Sequence, residues 1–285
     1  TKDELQTSWG DFGSFAEVSN KFIQSIIRKK IVSSVIDYAK FKETKVLKKS
    51  DGTKKSRITG IPKLEDANYA GTKKSEKCTL ILTEGDSAKA LVMSGLSSIG
   101  RDYYGVFPLK GKFINVRTNG PTKLEGNEEF KSLKQIIGLK QGEEYTNTKK
   151  LRYGKVVCCT DADVDGFHIK GLILNMFHTF WPSLFRLPGF LKMFITPIIR
   201  LTRGSNMVNF YTIQEYENWC SQNDSRGYKI KYYKGLGTST SSDAKIYFGD
   251  LKRHLVNFQY KDERDDHSMV LAFDESQANN RKKWI

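Results

Sequence analysis

Acidic residues follow two apolar segments of this chain that have the length of β-strands. Glu84 ends the first segment, LILTE, and Asp161, Asp163 and Asp165 follow the second, KVVCC. Short apolar runs rich in β-branched residues predict buried strands. Because functional groups gather at the carboxyl ends of neighbouring strands in an open α/β sheet, the sequence predicts one cleft that contains all four carboxylates.

Carboxylates that lie so close together repel one another unless a cation lies between them. Their oxygens suit Mg²⁺, which usually binds one or two protein carboxylates and keeps water or phosphate as its other ligands. In an extended DADVDG segment the side chains would alternate, so that Asp161, Asp163 and Asp165 would share one side. The pattern therefore predicts metal-assisted chemistry on a phosphate group.

The DADVDG segment also fits two alternative structures. An EF-hand calcium loop begins D-x-D-x-D-G as well, but it needs a glutamate at its twelfth position, and counting from Asp161 gives Leu172. A solvated acidic turn is the second alternative, since acidic residues are common in turns. The accompanying acidic motif at Glu84 favours a shared metal site over both.

The chain is strongly basic outside these motifs. Its 285 residues, enough for one large or two modest domains, carry a net charge of +15. Such a charge suits a polyanionic partner, although a basic protein can also be an ordinary soluble one. An acidic pocket surrounded by cations suits a protein that binds many phosphates and reacts with one. The lysines are concentrated in Lys40–Lys55, Lys73–Lys77, Lys110–Lys112 and Lys229–Lys234.

The four cysteines show neither C-x-x-C spacing nor a histidine at zinc-ligand separation. We interpret them as buried thiols in a reducing compartment. The apolar stretch Phe190–Ile199 is interrupted by Lys192 and Pro197 and is too short to span a membrane, so no membrane partner is expected.

The motifs EGDSA at Glu84–Ala88 and DADVDG at Asp161–Gly166 together resemble the metal site of Toprim domains. Their neighbours resemble type II DNA topoisomerases of the eukaryotic, homodimeric type, and the resemblance covers nearly the whole chain. It implies an α/β fold with a Rossmann-like parallel sheet flanked by helices, preceded by a long helix and followed by an α+β extension. The further matching motifs are GRDYYG, PLKGK, LRYG, HIKGL, YYKGLGTS, LAF and RKKWI.

The resemblance also implies a domain organisation. Residues 1–70 are expected to form the tail of a transducer domain and a basic linker, 71–200 the Toprim domain, and 201–285 an extension that leads to a winged-helix domain. Apolar spacing predicts a long amphipathic helix in 15–41. Further helices are predicted over Ser87–Leu96, near Glu128–Ile137 and Gln214–Trp219, and over His168–Leu184 and Ser241–Phe258.

The function implied by the resemblance is ATP-dependent cleavage and religation of double-stranded DNA, an isomerase activity that relaxes and decatenates DNA. The tyrosine nucleophile and the ATPase are expected elsewhere in a longer homodimeric polypeptide, so this central part alone is expected to be inactive. One or two Mg²⁺ ions would act in cleavage, and ATP in the full-length enzyme. The alternatives are a Toprim-type nuclease or primase, or a DNA-binding module without catalysis.

Site residues also follow from the resemblance. Glu84 and Asp161 are expected to be catalytic, and they are expected to bind metal together with Asp163 and Asp165. Glu84 is in addition a hypothetical proton donor to the leaving 3′ oxygen, if its acidic neighbours raise its pKa. The expected DNA contacts are Lys110, Lys112, Asn115, Lys234, Gly235, Arg281 and Lys282, and the expected ATP contacts are Thr1 and Lys2.

The chain differs from the usual motif sequences of the family at a few positions. Ala162, Val164 and Phe167 replace polar residues of the acidic motif, and Lys110 replaces a common arginine. A divergent or viral source would account for these differences from the family motifs. The expected location is the nucleus for a cellular protein, and the host cytoplasm or a viral replication site for a viral one.

Overall fold

The computed structural model describes residues 17–284, which divide between Lys45 and Val46 into two units. The strands are β1 Thr79–Glu84, β2 Tyr104–Leu109, β3 Lys155–Cys159, β4 Leu191–Phe194, β5 Ile199–Arg203, β6 Asn206–Phe210, β7 Lys229–Tyr232 and β8 Leu255–Asn257. The helices are α1 Asn20–Arg28, α2 Ile31–Leu47, α3 Gly85–Ile99, α4 Pro121–Gly126, α5 Glu128–Ile137, α6 Val164–Phe180, α7 Pro182–Phe185, α8 Ile213–Gln222, α9 Ser241–Gly249, α10 Leu251–His254, α11 Glu263–Phe273 and α12 Ala278–Trp284.

The long N-terminal helix predicted from the sequence is two helices, α1 and α2. Lys30 lies between them with a φ of +58°, a left-handed conformation that ends a helix. The β-branched residues Ile26, Ile27, Ile31 and Val32 surround this break, and such residues favour the helix less than unbranched ones.

The central sheet of the second unit has the order β2-β1-β3-β4-β8. The pairs β1·β2, β1·β3 and β3·β4 are parallel, and only the pairing of β8 with β4 is antiparallel in this sheet. The expected parallel α/β sheet is therefore confirmed, with one antiparallel edge strand.

Helices cover both faces of this sheet because its central strands are apolar at successive positions. Leu80 and Leu82 pack into one buried cluster with residues of α5 and α6, whereas Ile81 between them packs into another with residues of α3 and α9. Side chains of a strand alternate between its two faces, and a strand buried on both faces is a continuous apolar run. This arrangement explains why LILTE and KVVCC are largely apolar up to the acidic residues, where the intervening Thr83 and Thr160 are themselves buried.

A smaller antiparallel sheet, β6-β5-β7, follows the central one and packs against α8. It forms the predicted α+β extension. The helix predicted over residues 168–184 begins earlier and ends at Phe180, because Pro182 cannot continue a helix. The helix predicted over residues 241–258 is also divided, since it ends at Gly249, resumes as α10 and continues into β8.

Candidate metal centre and nucleic-acid interface

Glu84 and Asp161 meet at the carboxyl ends of two adjacent strands. β1 and β3 pair in parallel with Thr83 opposite Cys159, so both strands end at the same level. The backbone amide of Asp161 donates a hydrogen bond of 3.3 Å to Oε2 of Glu84. The strand-end convergence predicted from the sequence is therefore present.

The DADVDG segment is not extended, which corrects the expectation that its three aspartates share one side. β3 ends at Cys159, and α6 begins at Val164 with Asp163 as its N-cap residue. The Asp163 side chain accepts a hydrogen bond of 2.8 Å from the amide of Gly166. Aspartate is a preferred N-cap because it satisfies an amide that has no partner within the helix.

Asp165 consequently lies in the first turn of α6. Its Oδ1 is 2.9 Å from Nζ of Lys112, in an ion pair that is more than half exposed. Lys112 is a predicted DNA contact, and the structure places it beside the acidic residues. The Lys112 ammonium thus neutralises one carboxylate of the cluster.

The carboxylate of Asp161 is held by the loop after β7. The amide of Leu236 donates a hydrogen bond of 2.7 Å to Oδ1 of Asp161. Gly235 packs so closely that a Cβ atom there would lie 2.4 Å from Oδ2 of Asp161. Gly235, predicted as a DNA contact, is therefore a neighbour of the acidic cluster.

Lys170 is a member of this site that sequence reasoning did not single out. It is 6% exposed, and its Nζ lies 3.4 Å from the carbonyl oxygen of Asp161. Burial lowers the pKa of Lys170, whereas the nearby charges of Glu84 and Asp163 oppose this shift. Two sequence signals could have indicated it, namely its position between the apolar residues Ile169 and Leu172 and its place in the HIKGL motif.

Burial also raises the pKa of Glu84 above its ordinary value. The amide of Asp161 opposes this shift, and the carboxylates of Asp161, Asp163 and Asp165 add to it. The sequence attributed a raised pKa to the acidic neighbours alone, but the loss of contact with water is the larger cause.

The donor set of the site fits a hard cation. The available ligands are carboxylate oxygens at one end of a parallel sheet. Such oxygens suit Mg²⁺. Within residues 17–284, no three His, Cys, Asp or Glu side chains are gathered closely enough to hold a metal ion by themselves. An ion here would accordingly take one or two carboxylates and complete its shell with water or phosphate.

The PLKGK segment borders this site. The loop after β2 and the start of α3 line an open cavity of about 400 Å³ whose walls include Glu84, Asp86 and Lys110. Lys63, which belongs to none of the predicted motifs, forms an ion pair of 2.6 Å with Asp86 at the same cavity. The side chains of Lys110, Lys234 and Lys282 are exposed.

Asn115 and Arg281 lie beside the end of α11. Asn115 Nδ2 donates a hydrogen bond of 2.9 Å to the carbonyl of Phe273, and its Oδ1 accepts one of 3.0 Å from Asn175. Arg281 Nη1 donates to the carbonyls of Leu271 and Asp274 at 2.9 and 2.6 Å. The structure gives both residues intramolecular partners, while Thr1 and Lys2 lie outside the described residues.

Comparison with known families defines the class of this protein. The Toprim domain family matches residues 79–192, and the family described as the C-terminal associated domain of TOPRIM matches residues 194–285. The chain therefore carries a Toprim domain followed by its associated domain, in agreement with the fold and the acidic strand ends.

The chain is homologous to the central, Toprim-containing region of eukaryotic type II DNA topoisomerases. It is 49% identical over 288 residues to DNA topoisomerase 2 of Pisum sativum and 51% identical over 291 residues to that of Drosophila melanogaster. It is 47% identical over 290 residues to DNA topoisomerase 2-alpha of Rattus norvegicus. These alignments cover 100% of this chain but only 19–20% of the relatives.

A solved structure supports the same relationship. It is described as the topoisomerase II DNA-binding, cleavage and re-ligation domain of Plasmodium falciparum. The two structures share 51% sequence identity and a TM-score of 0.78, over 81% of this chain and 32% of that one. Among the described residues, no helix of this chain is both long and apolar enough to cross a membrane.

Proposed function

We propose that this chain provides the metal-dependent DNA-cleavage centre of an ATP-dependent type II DNA topoisomerase. The observation that carries the proposal is the meeting of Glu84 and Asp161 at the ends of β1 and β3. Their motifs lie in a chain about half identical to topoisomerases over its entire length. The proposed substrate is double-stranded DNA, bound by a homodimer of the longer protein.

In this proposal, Glu84, Asp161 and Asp163 hold one or two Mg²⁺ ions, each with one or two of these carboxylates, and Asp165 completes the acidic cluster. When bound, Mg²⁺ would stabilise negative charge that develops on the scissile phosphate. Asp163 keeps one carboxylate oxygen for this purpose, because only Oδ1 accepts the N-cap hydrogen bond. Lys170 lies beside the backbone carbonyl of Asp161, close enough to Glu84 and Asp163 for its ammonium to reduce the mutual repulsion of the carboxylates.

Glu84 is proposed to have a second role. A carboxyl group with a raised pKa retains a proton closer to neutral pH, which suits it to protonate the leaving 3′ oxygen from its carboxyl oxygen. We propose that the longer protein supplies the tyrosine that attacks the phosphate. It would also contain the ATP-hydrolysing site, with Thr1 and Lys2 as ATP contacts.

The basic side chains around the cluster are proposed to bind the DNA backbone. Lys110 and Lys112 extend from the loop after β2, and Lys234 extends from the loop that holds Asp161. Exposed lysines contact phosphates without reading sequence, which fits an enzyme that acts on DNA broadly. Asn115, Gly235, Arg281 and Lys282 are the further proposed contacts.

Trapping of cleaved DNA by detergent tests this proposal. The full-length protein that contains this chain should yield DNA breaks with protein attached to the ends, and Asp161→Asn should yield none. Breaks without attached protein would indicate the alternative, a Toprim-type nuclease, which the topoisomerase relatives do not favour.

A further inference from the structure

Asp243 is a buried carboxylate in the associated domain, remote in sequence from the acidic motifs. It is 4% exposed and lies in the first turn of α9. Its Oδ1 pairs with Nη1 of Arg200 and accepts a hydrogen bond of 3.3 Å from the hydroxyl of Tyr233. Its Oδ2 is 3.1 Å from Nζ of Lys231.

The same carboxylate caps the start of α9. Oδ2 of Asp243 accepts hydrogen bonds from the amide and the hydroxyl of Thr240, at 3.0 and 2.9 Å. The Thr240 hydroxyl in turn accepts from the amide of Asp243 at 3.2 Å, which completes a capping box. Although burial would raise it, the donors from Thr240, Arg200 and Lys231 hold the pKa of Asp243 below its ordinary range.

Tyr233 and Thr240 are the two ends of the loop that holds Asp161. Between them, the amide of Leu236 donates to Oδ1 of Asp161 at 2.7 Å, and Gly235 lies against the other carboxylate oxygen. Both ends of the loop are therefore hydrogen-bonded to the carboxylate of Asp243, and its middle is hydrogen-bonded to Asp161, the candidate metal ligand. The buried side chain of Leu236 provides a further anchor in the core.

Helix capping alone does not account for these contacts. A cap needs one carboxylate oxygen, and Oδ2 serves the capping box with Thr240. The other oxygen, Oδ1, is occupied by Arg200 on β5 and by Tyr233 just after β7. Asp243 thus joins α9, the small sheet and the loop at a single point.

We propose that Asp243 is a positioning residue for the Asp161 carboxylate, because it fixes both ends of the loop whose amide orients that group. The proposal rests on the proposed function, in which Asp161 binds a divalent cation. Residues that orient a metal ligand typically change metal affinity by about 10–100-fold when they are removed.

Two measurements on the protein that contains this chain, without nucleotide, test the proposal. The first is hydrogen exchange of the segment 233–240, and the second is the dissociation constant for Mn²⁺ as a probe of the hard-oxygen site. Asp243→Asn should raise the exchange of this segment and weaken Mn²⁺ binding by about ten-fold. Asp243→Glu should recover part of both properties, because it restores the carboxylate.

Asp266→Asn is the matched control. Asp266 also binds an arginine, a histidine and a tyrosine, namely Arg186, His178 and Tyr260. Among the described residues, none of these three forms a hydrogen bond or ion pair with residues 233–240. This control should lower thermal stability while leaving the exchange of residues 233–240 and the Mn²⁺ affinity within about two-fold of the wild type, a change below those expected of ligand-orienting residues.

Tyr233→Phe keeps the test decisive if Asp243→Asn fails to fold. It removes only the hydrogen bond from the Tyr233 hydroxyl to Asp243, so the variant should fold. Its hydrogen exchange and Mn²⁺ affinity should change in the same direction as in Asp243→Asn, but by less. Unchanged exchange and unchanged Mn²⁺ affinity in Asp243→Asn, or in Tyr233→Phe if Asp243→Asn does not fold, would overturn the positioning role. Failure of the wild type to bind Mn²⁺ would instead contradict the proposed metal site, while the exchange measurement would still report on the loop.

Discussion

The amide of Leu236 donates a hydrogen bond of 2.7 Å to Oδ1 of Asp161, across 75 residues of sequence. This contact joins the associated domain to the acidic cluster of the Toprim domain. A carboxylate whose direction is fixed by a backbone amide presents its other oxygen in a defined orientation. The loop around Leu236 therefore takes part in shaping the site.

Replacement of Gly235 by alanine should damage the site through a steric clash. The added Cβ would lie 2.4 Å from Oδ2 of Asp161, so the carboxylate must move. Because a side-chain rotation relieves the clash, we expect a fall of about ten-fold in Mn²⁺ affinity with little loss of thermal stability. Gly237→Ala is the control, since a Cβ there meets no atom within 4 Å. Equal affinities in the two variants would show that Gly235 does not restrict Asp161.

Glu84→Gln should change stability in a way that depends on pH and metal. Burial raises the pKa of Glu84 above 4.5, so its stabilising contribution is present below pH 4.5 and is lost as the pH rises through the raised value. At pH 8 in EDTA the variant should therefore melt at a higher temperature than the wild type. At pH 4 the difference should vanish.

Mg²⁺ should reverse the order of the melting temperatures of the wild type and Glu84→Gln. Mg²⁺ stabilises only the state that binds it, so it should raise the melting temperature of the wild type more than that of Glu84→Gln. Glu144→Gln, at an exposed glutamate, serves as the control and should follow the wild type throughout. A Glu84→Gln variant that is less stable than the wild type at pH 8 in EDTA would contradict the electrostatic description.

The strands could be predicted because a short apolar, β-branched segment is enough to indicate a buried strand. The meeting of Glu84 with Asp161 could be predicted because functional groups gather at the carboxyl ends of neighbouring parallel strands. The conformation of Asp163 could not, since DADVDG fits both an extended segment and a helix N-cap. The choice depends on where α6 begins. The contacts of Asp161 with Leu236 and of Asp243 with Arg200 join distant segments, and no local pattern indicates them.

Arg152→Ala should destabilise the fold strongly. The Arg152 side chain is completely buried, pairs with Asp66, and donates to the carbonyls of Lys55 and Ile136 at 2.6 and 2.8 Å. Removing one partner of a buried ion pair costs about 3–5 kcal/mol, and here two carbonyls also lose their donor while Asp66 keeps only the Tyr153 hydroxyl. Urea unfolding would measure this cost. Lys150→Ala should cost less than about 1 kcal/mol, because that lysine pairs at the surface. Similar costs for the two variants would contradict the structural role of Arg152.

Lys234→Gln should weaken DNA binding and reduce its dependence on salt. If Lys234 contacts one phosphate, the slope of log K against log salt concentration should become less steep by about 1. Lys150→Gln is the comparison, because its ammonium already pairs with Glu143. Binding isotherms for a DNA duplex at several salt concentrations provide the slopes, and identical slopes would remove Lys234 from the DNA interface.

The most direct test of the proposed topoisomerase is ATP-dependent decatenation by the full-length protein, measured as Mg²⁺ concentration is varied. We compare the wild type with Asp161→Asn and with Asp262→Asn, whose exposed carboxylate pairs with Arg264 on the surface. We expect Mg²⁺-dependent decatenation by the wild type and Asp262→Asn, and a loss of about 100-fold or more in Asp161→Asn. A rate for Asp161→Asn equal to that of the wild type would contradict the metal site, and a wild type that cannot decatenate DNA would contradict the proposed function.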